Sequence, residues 1–158
     1  MKEIQLTQGK VALVNDEDFE KLNQFKWHLA KYRKSSYAIR NITVNGKQKK
    51  IPMHCAVMNG KGIDHIDHNG LNNQRSNLRF CTKSENAMNN QKQKNCTSIY
   101  KGVYFFKRDK KWMAHIELNG KQTYLGTFSS EVDAALAYNE KAIELFGEFA
   151  NLNKPLAI

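Results

Sequence analysis

Asp64-His65-Ile66-Asp67-His68-Asn69-Gly70-Leu71-Asn72-Asn73 runs on to Asn77-Leu78-Arg79 and then to Asn86. It brings carboxylates, imidazoles and side-chain amides together at a density too polar for a core. One carboxylate, one imidazole and two spaced amides can hold a hard divalent cation and activate a water. In a chain with a net charge of +10, the expected substrate beside such a centre is a phosphate polyanion, and the expected reaction is phosphodiester hydrolysis.

The stretch reads locally as strand, loop, strand, helix. Residues 63–66 form a short strand, Asn69-Gly70 marks a polar loop, and Leu78-Arg79-Phe80-Cys81 returns. Thr82-Lys83-Ser84-Glu85 fits a capping box, so a helix starts there with Asn86 in its first turns. The expected unit is ββα, with Asn86 carried back toward the first strand. Asp64 and Asn86 are the expected metal ligands. His65 is the expected general base, because a neutral imidazole accepts a proton near its working pH. Asn77 is expected to tie down the loop and orient His65. Neighbouring residues of a regular strand point to opposite faces, so Asp64 and His65 share a site only if the strand ends or twists there. Asp67 and His68 form the rival pair.

Outside this centre the charge is unevenly distributed. Residues 1–60 hold eleven Lys/Arg against five Asp/Glu, residues 61–96 six against three, and residues 97–158 eight against seven. A basic N-terminal half suits nucleic acid. Lys10-Val11-Ala12-Leu13-Val14 reads as a strand, and Asn15 or Asp16 caps a helix to about Gln24 whose first turn carries Asp16, Glu17 and Asp18. Phe19, Leu22, Phe25 and Trp27 supply its apolar side. Tyr37-Ala38-Ile39-Arg40 and residues 48–53 read as strands joined through Asn45-Gly46. The basic clusters Lys31-Tyr32-Arg33-Lys34 and Lys47-Gln48-Lys49-Lys50 fall at loops or strand ends, while His54 leads an apolar run and reads as structural.

Residues 88–99 hold few apolar side chains and no acid, as a linker does. Beyond them Val103 and Phe105, then Trp112, Ala114, Ile116 and Leu118, then Leu125 and Phe128 alternate with polar residues, and Asn119-Gly120 makes a hairpin turn. Ser129 or Ser130 caps a helix with apolar residues at helical spacing, which Gly147 stops. Residues 101–125 carry six Lys/Arg against two acids, whereas residues 129–149 carry one lysine against five. If this module touches DNA, it does so with its sheet.

The expected class is α+β: a basic N-terminal α+β region of short strands (1–53), the ββα centre (54–90), a linker (91–99), and a three-stranded antiparallel sheet packed on one helix (100–155). No apolar stretch approaches the roughly 20 residues of a membrane helix, and Met1-Lys2-Glu3-Ile4-Gln5 lacks the apolar region of a secretory signal. The expected location is the cytoplasm. Cys55, Cys81 and Cys96 form no C-x-x-C pair, so no structural zinc is expected.

Asp64-His65, Asn77 in Ser76-Asn77-Leu78-Arg79 and Asn86 in Ser84-Glu85-Asn86 resemble the HNH (ββα-metal) nucleases, in the homing-endonuclease branch. The resemblance implies that Asp64 and Asn86 bind one Mg²⁺ or Mn²⁺, that His65 is catalytic and that Asn77 is structural. His68 stands where members of that family often carry glycine. Tyr100-Lys101-Gly102-Val103, Lys111-Trp112, Leu125-Gly126-Thr127-Phe128, Ala134-Ala135-Leu136-Ala137-Tyr138 and Asn151-Leu152-Asn153 resemble the plant APETALA/ethylene-response-factor DNA-binding domain. That family lays its sheet in the major groove, which would turn Tyr104, Phe106, His115, Glu117, Gln122 and Tyr124 toward DNA. Lys101, Lys107, Arg108 and Lys111 are then expected to add phosphate contacts, with Arg79 as a clamp in the centre itself.

Both resemblances occur together in bacterial and phage proteins, so the expected setting is a bacterial or phage-infected cell. The function expected is metal-dependent endonucleolytic cleavage of double-stranded DNA, as a nick by a monomer or a double-strand break by a dimer, with no obligate protein partner and no membrane. The alternative is a sequence-specific DNA-binding regulator with an inactive nuclease centre.

Overall fold

The computed structural model describes residues 1–32, 35–92 and 96–155. Arg33 and Lys34 of the first basic cluster and residues 93–95 of the expected linker lie outside the described residues. Helices and sheets both contribute, giving an α+β chain in two compact units, Met1–Thr82 and Lys83–Ile158.

In the first unit, β1 (Lys2–Gln5) pairs antiparallel with β2 (Val11–Val14). Their buried side chains Ile4, Ala12 and Val14 join Leu6, Leu22, Trp27, Leu29, Ala38, Met53, Val57 and Leu78 in one core. α1 (Asp16–Asn23) presents Leu22 to it, and the Trp27 indole N–H donates to the Leu22 carbonyl at 2.8 Å. Phe25, expected on the apolar side, is instead exposed, with the Arg40 guanidinium 3.5 Å from its ring centre. β3 (His28–Lys31), β4 (Ser36–Val44) and β5 (Lys47–Pro52) form an antiparallel sheet in that order. Asn45 and Gly46 have φ of 51° and 72°, as a tight hairpin turn needs at both central residues.

The strand expected over 48–53 ends at Pro52, where the chain enters a helix that was not expected, α2 (Met53–Met58). Six residues are too few for a clear helical period. Met53 and Val57, four apart on one face, are buried in the core. β6 (Ile63–His65) and β7 (Leu78–Phe80) follow, paired antiparallel with Asp64 opposite Arg79 and His65 opposite Leu78.

The second unit begins with α3 (Lys83–Met88). Its sheet is β8 (Val103–Phe106), β9 (Lys111–Leu118) and β10 (Lys121–Phe128), with β9 central. Ala114 and Ile116 turn inward, with Val103, to pack with Ala134, Ala135, Tyr138, Ala142 and Phe146 of α4 (Glu131–Phe146). Ser130 Oγ accepts from the Val132 and Asp133 amides, capping α4. Gly102 has φ of 73°, and a Cβ there would lie 2.2 Å from the Tyr138 ring, so the approach of β8 to α4 requires glycine.

The end of the expected linker is tied into this unit. Glu131 accepts from the Ser98 hydroxyl at 2.7 Å and from the Ile99 amide at 3.1 Å, and Thr97 Oγ1 accepts from the Phe105 amide at 2.9 Å. Hydrogen bonding, invisible in a composition that merely lacks apolar residues, holds these three residues in place.

Candidate active site

His65 is the last residue of β6, and the chain turns immediately: the His68 amide donates to the His65 carbonyl at 3.0 Å. The strand therefore ends at the point where Asp64 and His65 must stop alternating if they are to serve one centre. The His65 side chain is buried among three groups from elsewhere in the first unit. Its ring centre is 4.8 Å from that of His54 on α2, edge to face, and 5.7 Å from Tyr37 on β4. Its Nε2 lies 3.4 Å from Asn73 Oδ1. An amide oxygen only accepts, so in this contact Nε2 is the donor. Burial pushes the His65 pKa below its ordinary value; the Asn73 hydrogen bond and the Asp67 and Asp64 carboxylates oppose that shift without reversing it.

His54 and Asn73 are the residues that sequence reasoning missed. Burial drives the His54 imidazole down to a pKa of about 4, with a smaller push from His65. His54 Nδ1 and Asn73 Nδ2 are buried without a hydrogen-bond partner among the described residues. Asn73 stands inside the polar stretch around Asp64 and His65 but draws no separate notice there, and His54 meets His65 only through packing.

Asp64 is 7% exposed. Its Oδ2 accepts from Arg79 Nη2 at 2.9 Å and Nε at 3.2 Å, across the β6–β7 register. Arg79, expected as a DNA clamp, is thus an ion-pair partner of the candidate metal ligand.

The loop between the strands is organised by Asp67 and Asn77. Asp67 accepts from the Asn69 amide, Asn72 Nδ2 and Asn77 Nδ2, each at 2.8 Å. Burial alone would raise the Asp67 pKa, but these hydrogen bonds outweigh it and hold the carboxyl below its ordinary value. Asn77 Oδ1 accepts from the Asp67 amide at 3.0 Å, and its Nδ2 also donates to the Asn72 carbonyl at 2.9 Å. Asn77 ties down the loop, while the side-chain amide beside the His65 ring is that of Asn73. In the rival pair, Asp67 is engaged as a loop acceptor and His68 occupies a left-handed position, φ 63°, which accounts for glycine being suited there.

The loop is anchored on its other side. The Leu13 amide donates to the Leu71 carbonyl and the Asn73 amide to the Leu13 carbonyl, both at 2.8 Å. Asn15, expected to cap α1, makes no side-chain cap and instead accepts from the Arg75 amide at 2.8 Å. Asp18, expected to serve the helix dipole, is buried and binds Arg75 at 2.7 and 2.8 Å. Gly70 lies so close to β4 that a Cβ would stand 2.4 Å from the Ser36 carbonyl oxygen.

Asn86 lies on α3 in the second unit and is exposed. In the sheet of that unit, Tyr104 lies opposite Met113, Phe106 opposite Lys111, His115 opposite Tyr124 and Glu117 opposite Gln122. These residues alternate with the inward set and share the face turned away from α4. The Tyr104 and His115 rings are 5.0 Å apart, edge to face. The Tyr124 hydroxyl bonds Thr127 Oγ1. Lys107 is exposed, and Arg108 pairs with Asp109 at 2.8 Å. Lys101 turns inward: its Nζ donates to the Met88 carbonyl at 2.8 Å, and burial lowers its pKa to about 8.

Among the described residues, no group of three or more His, Cys, Asp or Glu could hold a metal. The Asp64 carboxylate and the Asn86 amide oxygen, one in each unit, are both oxygen donors of the kind a hard divalent cation takes. The Asp64 carboxylate already balances a cationic group, the Arg79 guanidinium, so its charge and burial suit a cation.

The family description "HNH endonuclease" matches residues 56–88. Over 151 residues the chain is 34% identical to an uncharacterized HNH endonuclease of Acanthamoeba polyphaga mimivirus, covering 92% of this chain and 76% of that protein. Protein 3.8 of Escherichia phage T7 is 35% identical over 91 residues, 58% of this chain and 74% of that protein. APETALA2-like protein 2 of Oryza sativa is 44% identical over 57 residues, 36% of this chain and only 13% of that protein. No solved structure is significantly similar, and no helix among the described residues is long and apolar enough to cross a membrane.

Proposed function

The chain belongs to the HNH endonuclease family, and from that premise we propose a homing-type enzyme that hydrolyses duplex DNA with His65 as general base, Asp64 and Asn86 as ligands of one Mg²⁺ or Mn²⁺, and the C-terminal sheet as the DNA-binding surface. The observation that carries this reading is a buried imidazole held by Asn73, adjacent in sequence to a buried carboxylate.

A divalent ion bound by these oxygen donors supplies charge neutralisation at the phosphate and stabilises the leaving oxygen. The protein's own groups do the rest. Asn73 keeps the His65 proton on Nε2, so Nδ1 takes a proton from water as the water oxygen bonds to phosphorus. The bond from phosphorus to the 3′ oxygen breaks, and the 3′ oxyanion takes a proton from solvent, leaving a 5′-phosphate and a 3′-hydroxyl. Asn77 and Asp67 act through the loop they fix, as positioning residues. The ββα-metal arrangement belongs to this reading, with Asn86 contributing from α3.

DNA binding by the sheet is supported by the common face of Tyr104, Phe106, His115, Gln122 and Tyr124 and by the excess of basic residues over 101–125. Lys107, Arg108 and Lys111 are phosphate contacts in this reading.

Supercoiled plasmid with Mg²⁺ or Mn²⁺ tests it. Wild type should relax or linearise the plasmid, and His65→Ala should lose at least about 100-fold in rate while still binding DNA. Binding without cleavage by wild type would instead leave the regulator reading. Sequencing the ends of one product checks the polarity of the cut.

A further inference from the structure

We infer that the β4–β5 hairpin of the first unit is a second DNA-binding surface, which grips the phosphate backbone through Arg40, Lys47 and Lys49 without reading sequence. This rests on the reading of duplex DNA as the substrate, and it adds a grip within the unit that carries His65. Residues 21–63 hold ten Lys/Arg and no Asp or Glu. That span contains the whole β3–β4–β5 sheet.

Strand alternation sets the three cations in a row. Arg40 lies opposite Ile51, Ile42 opposite Lys49 and Val44 opposite Lys47, so these side chains share one face of the hairpin. Lys49 and then Lys47 follow Arg40 in steps of about 7 Å. From Asn41 to Lys50 no residue of either strand is buried, so the row runs clear of the core. The Arg40 guanidinium lies over the Phe25 ring at 3.5 Å and 5.6 Å from the centre of Trp27. Its Nε is buried without a hydrogen-bond partner among the described residues. Stacking of this kind holds a guanidinium in place without using its donors, whose planar fork matches a phosphate.

Other cations of this unit meet acids. Lys2 lies 3.6 Å from Glu20, Arg75 2.9 Å from Glu17 and 2.7 Å from Asp18, and Arg79 2.9 Å from Asp64. Among the described residues no carboxylate pairs with Arg40, Lys47, Lys49 or Lys50. Like charges in a row repel one another, and a polyanion relieves that repulsion. A nucleic-acid strand, with a phosphate about every 3.4 Å of helix axis, offers charge along the full length of the row. The same strand reaches the candidate base: Tyr37 of β4 has its ring centre 5.7 Å from that of His65, and Arg40 stands about 10 Å further along.

The full-length protein, in a His65→Ala background that keeps DNA intact, is titrated by fluorescence anisotropy with two duplexes of unrelated sequence across a salt series. Lys47→Ala combined with Lys49→Ala should lower the slope of log affinity against log salt by about 2, and Arg40→Gln by about 1. Each loss should be equal on the two duplexes, because phosphate contacts carry no sequence information. Lys2→Ala, whose ammonium already faces Glu20, should leave the slope unchanged. Lys47 and Lys49 are exposed, so their double variant decides the matter even if circular dichroism shows that Arg40→Gln does not fold.

An unchanged slope in the double variant, with Lys111→Ala lowering it, would overturn the hairpin grip and leave the C-terminal sheet as the proposed surface. If the parent binds neither duplex, the DNA reading itself fails and this inference with it. If the double variant binds duplex like its parent but loses a labelled single-stranded RNA, the partner of the hairpin is RNA and the inference fails alone.

Discussion

His54 contributes a flat, neutral wall to the candidate catalytic imidazole, and its cost appears in acid. Its folded pKa of about 4 lies below the roughly 6.5 of an exposed histidine, so between these values the unfolded chain binds more protons. Stability contributed by neutral His54 is complete above about pH 6.5 and falls as pH drops toward 4, by up to about 3 kcal/mol. His54→Phe keeps an aromatic ring without a titrating group, so urea denaturation at pH 7 and pH 4.5 should show a smaller acid loss than wild type. Equal losses would show that burial of His54 is not the cause. His68 tests backbone strain separately: with φ of 63°, replacement by glycine should stabilise by about 1 kcal/mol. A higher melting temperature with unchanged nicking is the expected result. Sequence reading could place a small residue at 68 by family resemblance, but only the left-handed φ explains why.

The loop after β6 is held by its contacts with other elements of the first unit. β2 accepts and donates backbone bonds, Asn15 ahead of α1 and Asp18 within it bind Arg75, β4 closes on Gly70, and α2 brings His54 beside His65. Asp18 is buried while Arg75 is half exposed, so truncating the arginine leaves a poorly solvated carboxylate behind. Arg75→Ala should cost about 2 kcal/mol, more than an exposed ion pair is worth. Adding Asp18→Ala should recover part of that loss, and a urea double-mutant cycle measures the coupling. Gly70→Ala forces a Cβ against Ser36 and Tyr37; it should reduce nicking more than it reduces melting temperature, because the displaced loop carries Asn73. The two strands around this loop are readable from local pattern. Its supports are not, because Asn15 and Asp18 carry the ordinary signature of a helix start and find Arg75 only through folding.

Across the whole molecule, charge and face together decide where the duplex is proposed to bind. Lys111 shares the outward face of the second unit's sheet, whereas Lys101 is held by the Met88 carbonyl. Lys111→Ala should weaken DNA binding and lower the slope of log affinity against log salt by about 1. Lys101→Ala should leave that slope unchanged and instead lower the melting temperature, because its ammonium lies inside the unit. Fluorescence anisotropy across a salt series, paired with thermal melts, distinguishes them. A salt slope that responds to Lys101 alone would move the proposed interface off the sheet.

The amino-acid sequence by itself determined what neighbours within a few residues can settle. Asn45-Gly46 and Asn119-Gly120 turn with positive φ at both residues, Ser130 caps α4, and alternation assigns the two faces of the last sheet, since backbone sterics and capping act over one turn. Tertiary structure alone decided that His54 and Asn73 flank His65, that Asp64 meets Arg79, and that Asp18 meets Arg75 from 57 positions away. A buried charge or ring takes its partner from whatever the closed core places beside it, and that partner leaves no periodic trace along the chain.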